Sequence, residues 1–165
     1  MAELVEESVE SQKYTISHAK IETILGWIRN DEIGIPEIQR PFVWESTDVT
    51  KLIESLYKGL PIGYFVTWKD ADTRLQEGGV SIGKKILIDG QQRVKALMSS
   101  LLEKELIDKD YKKLQPMKIA FNPIKEQFVA AASGKAKGNE WIPDISPIVT
   151  NRRINARKIE KAYLE

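Results

Sequence analysis

Ile86-Leu87-Ile88-Asp89-Gly90-Gln91-Gln92-Arg93 is the stretch on which the reading of this chain turns. Lys85 to Asp89 is apolar and β-branched enough to predict a short buried strand that ends on a carboxylate. Gly90 then permits a positive φ. Val94, Leu97, Met98, Leu101 and Leu102 follow at helical spacing and predict the best-defined helix of the chain. The free backbone N–H groups at such a helix start form an anion site, and the helix dipole adds to it. Arg93 stands one turn in, where a guanidinium can clamp a phosphate bidentately. Gln91 and Gln92 can hydrogen-bond a base, a phosphate or an attacking water. Asp89 can hold a magnesium ion or orient that water. The same residues also read as a capped strand–turn–helix with a structural Asp–Arg pair, and spacing alone does not separate the two.

Working outward, Ile21, Ile24, Leu25 and Ile28 fall on one helical face, with Ser17 as a candidate N-cap and Asn30 closing the far end. Ile33 to Ile38 surrounds Gly34 and Pro36, which predicts a short edge strand or an extended loop. Gln39 and Arg40 precede Pro41 and so sit on a stiffened loop, where polar side chains are typical of binding sites. Phe42 and Trp44, just beyond, either plug the core or stack on a base. Ser46-Thr47-Asp48 offers cap oxygens to a second helix, whose apolar face is Val49, Leu52, Ile53 and Leu56. Gly59 and Pro61 stop it. Ser55, Gly59 and Gly63 are left over from that face, and small residues there let a ligand approach the backbone.

Ile62 to Trp68 reads as a buried strand, and 69–84 as a polar loop. Met117 to Phe121 and Gln127 to Ala131 read as two more strands, turning at Asn122-Pro123. Residues 133–139 are linker-like, and a basic helix is predicted from about Asn151. Mixed helices and short strands argue for an α+β (mixed α/β) fold with a small mixed sheet flanked by helices. Three parts are expected: a disordered acidic leader over 1–13, the folded domain over 14–150, and over 151–165 the start of a further helical region that continues beyond Glu165.

Composition narrows the chemistry. The chain has 165 residues, no Cys and a single His. Disulfide scaffolds, thiolate metal sites and Cys nucleophiles are therefore excluded. His18 alone builds no His-based metal cage or Ser–His relay within one chain, and reads as a capping or surface residue. No apolar run reaches the ~18 residues that a membrane span needs, so no membrane partner and a cytoplasmic location are expected. The net charge of +1 hides an acidic head (Glu3, Glu6, Glu7, Glu10) and a basic tail. In that tail Arg153, Arg157 and Lys161 recur at every fourth position, which makes one stripe able to touch a phosphate backbone or simply face solvent.

The order of these blocks carries a resemblance. Ile35-Pro36 with Gln39-Arg40 and Trp44, then Ile53 and Ser55 with Gly59, Pro61, Ile62 and Gly63, then Ile88-Asp89-Gly90-Gln91-Gln92-Arg93, closely resemble the N-terminal domain of GmrSD-type (type IV) restriction endonucleases, from roughly Ser17 to Trp141. The blocks also look like the nucleotide-binding boxes of the ParB/sulfiredoxin-like fold.

The resemblance implies a module of a phage-defence system that restricts modified DNA, in which a ParB-like domain binds and hydrolyses a nucleoside triphosphate, with Mg2+ as the expected companion. By motif position, Asp89, Gly90, Gln91, Gln92 and Arg93 would form the triphosphate and hydrolysis site, with Asp89 the metal-holding residue. Gln39 and Arg40 would line the same pocket from the opposite loop, and Ser55 would lie beneath it. The implied partners are DNA, bound through the full-length protein, and a C-terminal nuclease part or partner subunit; a homo-oligomer is compatible. Two other readings stand beside this one: a DNA-binding or DNA-cleaving domain that uses the basic tail, and a non-catalytic interaction module.

Overall fold

Helix α3, Gln91–Leu102, is the element around which the chain packs. In a computed structural model, residues 14–36, 40–69, 75, 78, 83–108 and 110–150 are described. Within them every position from Val94 to Leu101 is buried, so α3 is covered on all sides. Helices α1 (Ile21–Arg29) and α2 (Ser46–Tyr57) pack against it, and the short α4 (Ser146–Val149) closes another side. The core joins Ile24, Leu25 and Ile28 of α1 and Val49, Leu52 and Ile53 of α2 to Val94, Leu97 and Leu101 of α3. These are the apolar positions that the helical spacing predicts.

The sheet that presents α3 is three-stranded and mixed, in the order β1-β3-β2. Strand β3 (Lys85–Asp89) is central, parallel to β1 (Ile33–Gly34) and antiparallel to β2 (Val66–Lys69). Two hairpins complete the described residues: β4 (Leu106–Ile107) with β5 (Lys113–Leu114), and β6 (Ile119–Asn122) with β7 (Gln127–Ala130). The second hairpin lies on α2, where Tyr57 meets Phe121 and Phe128 at ring distances of 5.4 and 5.3 Å. Asn122 turns the chain between β6 and β7, its Oδ1 accepting from the amides of Ile124 and Lys125 at 3.0 Å each. The α+β class therefore stands.

Several local expectations change. Helix α1 begins at Ile21 with Lys20 at its N-cap, because Ser17 to Lys20 runs without helical structure; Ser17 caps nothing. Helix α2 is entered one residue earlier than expected, with Glu45 at its N-cap and the Asp48 carboxylate accepting the Glu45 N–H at 3.3 Å. The buried strand read over Ile62 to Trp68 is instead an exposed edge strand over Val66–Lys69. A β-branched and aromatic run suits an edge as well as a centre, and Gly63, at φ 88°, bends the chain before pairing begins. The β4–β5 hairpin is not anticipated by periodicity, since each strand is two residues long. The expected basic helix from Asn151 lies outside the described residues.

Candidate functional site

The turn from β3 into α3 is built as the sequence requires. Gly90 is the N-cap at φ 90°. A Cβ there would come within 2.7 Å of the Phe65 ring and 3.3 Å of Arg93 Nη2, so glycine is needed for space as well as for conformation. The first intrahelical bond is Val94 N–H to the Gly90 carbonyl at 3.0 Å. The amides of Gln91, Gln92 and Arg93 precede it and have no acceptor within the helix.

Arg93 is held from several sides. Its Nη1 donates to the Ile62 carbonyl at 2.5 Å, its Nη2 pairs with Asp89 Oδ2 at 3.3 Å, and the guanidinium lies 5.2 Å from the Phe65 ring centroid. The arginine side chain is 17% exposed and that of Asp89 69%. A preset cation therefore stands beside a carboxylate that faces water.

The two glutamines do different things. Gln91 Nε2 donates back to the Leu87 carbonyl at 3.1 Å. Gln92 uses both ends of its carboxamide on one loop, with Nε2 donating to the Pro41 carbonyl at 2.9 Å and Oε1 accepting the Val43 N–H at 3.0 Å. Arg40 is exposed, and its carbonyl accepts from Lys95 Nζ at 2.8 Å. The loop following Arg40 is thus fastened to α3. Phe42 goes into the core, while Trp44 stays half-buried. Gln39 lies outside the described residues, as do Arg153, Arg157 and Lys161.

Next to Arg93 an open cleft of about 510 Å³ is lined by Trp44, Asp48, Lys51, Leu52, Ser55, Pro61, Ile62 and Arg93. That is within the size range of small-molecule sites, roughly 300–1,000 Å³. Ser55 lines this cleft, its Oγ donating to the Lys51 carbonyl at 2.8 Å. Asp89, Gln91 and Gln92 are not among its lining residues; they sit at and behind the α3 end that Arg93 connects to it. Five lining residues were not singled out as ligand contacts by the sequence: Asp48 reads as a cap, Leu52 as core, Pro61 as a helix stop and Ile62 as strand, while Lys51 carries no reading of its own.

Lys95 was missed altogether. It is 4% exposed, and burial pushes its ammonium below the ordinary lysine range. A signal existed. Gln92, Lys95 and Ser99 follow one stripe of α3 at i, i+3, i+7. Each reaches out of the helix to another segment; the Ser99 hydroxyl accepts the Met117 N–H at 2.9 Å.

Among the described residues no group of three or more Asp, Glu, His or Cys could hold a metal ion. Among those residues, too, no helix is long and apolar enough to cross a membrane.

The family model described as "GmrSD restriction endonuclease, N-terminal domain" matches residues 21–163. No curated protein matches the chain.

Proposed function

Because the chain belongs to the family of GmrSD restriction endonuclease N-terminal domains, we propose that it binds a nucleoside triphosphate between α2 and the start of α3 and hydrolyses it within a restriction system acting on modified DNA. The observation that carries this reading is the fixed Arg93 guanidinium, which joins the cleft wall to the free first-turn amides of α3 and to Asp89.

Arg93 and the amides after Gly90 receive phosphate oxygens and offset the charge that builds on them during transfer. Lys51 adds a second cation on the cleft wall, and Trp44 offers a flat face to the base. Asp89, exposed and paired with Arg93, orients the attacking water or holds magnesium, which when bound would neutralise phosphate charge. Gln91 stands beside that water path. Gln92, with its carboxamide engaged at both ends, acts by holding the Arg40 loop rather than by touching the reacting atoms. Arg40 reaches the phosphates from that loop, Gln39 is assigned to the same pocket by motif position alone, and Ser55 shapes the cleft.

DNA and a nuclease part or partner subunit belong to the whole restriction system in this account, with Arg153, Arg157 and Lys161 as backbone contacts. The test of the function is steady-state phosphate release by the purified chain, with Arg93→Ala and Asp89→Ala. Losing one preorganised charge-stabilising group typically lowers the rate by about 10²–10³. Undiminished release in both variants contradicts the site.

A further inference from the structure

We infer that Lys95 is a positioning residue for the nucleotide site, its buried ammonium tethering the loop after Arg40 to α3 through the Arg40 carbonyl. This rests on the nucleotide-hydrolysing function proposed above and names a residue that the matching motif blocks do not include.

The bond itself is well placed, 2.8 Å from Lys95 Nζ to the Arg40 oxygen. Stability does not explain the lysine. Arg40 is exposed as a residue, and its bond to Lys95 is only partly buried. Lys95 is 4% exposed, and among the described residues no carboxylate forms an ion pair with it. Burying an ammonium that no carboxylate pairs with, for one hydrogen bond to a carbonyl, is a net loss for folding. An apolar side chain of the same length would fill the space more favourably.

What the lysine does achieve is location. With the two Gln92 bonds, three hydrogen bonds from one α3 stripe reach residues 40, 41 and 43. That loop presents Arg40 at one end and leads to Trp44 at the other, and Trp44 lines the cleft beside Arg93. A cavity of about 110 Å³ adjoins Lys95, lined also by Asp31, Met98, Lys104, Glu105 and Ile107, so the lysine is not closely packed on that side. A misplacement near 1 Å is enough to lower rates by about 10²-fold.

The experiment is Lys95→Met in the full chain, read by thermal unfolding, by kcat/KM for nucleoside triphosphate hydrolysis, and by hydrogen exchange at the Phe42 and Val43 amides. The expected result is a melting temperature equal to or above that of the unchanged chain, kcat/KM lower by about 10- to 100-fold, and faster exchange at both amides. A variant that melts earlier or fails to fold while its folded fraction keeps full kcat/KM overturns the inference, since Lys95 would then be structural. Unchanged kcat/KM with unchanged exchange overturns it as well. If the unchanged chain neither binds nor hydrolyses any triphosphate, the proposed function falls; exchange then judges the tether alone, and unaltered exchange at Val43 in the variant removes it.

Discussion

Arg93 rests directly against Gly63: a single methyl group at position 63 would run into Nη1, the nitrogen that donates to the Ile62 carbonyl next door. The glycine bends the chain at φ 88° ahead of β2, and the same bend makes the slot in which the guanidinium lies.

Gly63→Ala therefore acts twice. A side chain at that φ costs about 1–2 kcal/mol, which lowers the melting temperature. The displaced guanidinium lowers phosphate release by about 10²-fold or more. Measuring both on one preparation checks the pairing; an active, destabilised variant would separate the bend from the slot.

Gln92→Ala removes both bonds to the loop. Because Val43 is exposed and water can replace its partner, the stability loss is about 1 kcal/mol. Activity falls less than in Asp89→Ala. Equal losses in kcat from the two substitutions would return Gln92 to the reacting atoms.

At the opposite end of the sheet, Asn30 Nδ2 and Lys85 Nζ both donate to the Glu32 carboxylate, each at 3.2 Å, and Lys85 also lies 4.7 Å from the Trp27 ring centroid. The Asn30 bond first, then the Lys85 bond, holds Glu32 below its ordinary value of 4.5. A depressed carboxylate stabilises the fold above its unfolded value and loses that contribution as pH falls through its folded value. The difference in melting temperature between the unchanged chain and Glu32→Gln is accordingly positive at pH 7 and closes below about pH 4.5. A difference that stays constant into acid contradicts this.

Leu97 tests the packing. It is fully buried in the middle of α3, and Leu97→Ala is expected to lower stability by about 2–5 kcal/mol in a denaturant titration. A change under 1 kcal/mol would mean that α3 is not the centre of the core.

Much of this arrangement was legible beforehand because it is local. The strand ending at Asp89, the glycine and the helix that follows are neighbours in sequence, and helical spacing alone picks out Ile24, Leu25, Ile28, Val49, Leu52, Ile53, Val94 and Leu97 as core. Partnerships across the chain were not legible. Nothing local says that Gln92 would spend its amide on residues 49 and 51 positions earlier, or that Lys95 would bury itself to reach Arg40. The exposure of Val66 and Trp68 depends on β2 being an edge, which is a property of the strand order and not of the strand. The cleft likewise needs α2, the bend at Gly63 and α3 to meet.

The central claim is that Arg93 and its surroundings bind a triphosphate. Thermal unfolding of the chain with each of the four nucleoside triphosphates and Mg2+, repeated with Arg93→Ala, addresses it most directly. A ligand at about 100 times its dissociation constant adds about 2.7 kcal/mol to stability. The account predicts a clear upward shift with at least one triphosphate and its loss in Arg93→Ala. No shift with any of the four, or a shift that Arg93→Ala leaves intact, would contradict it.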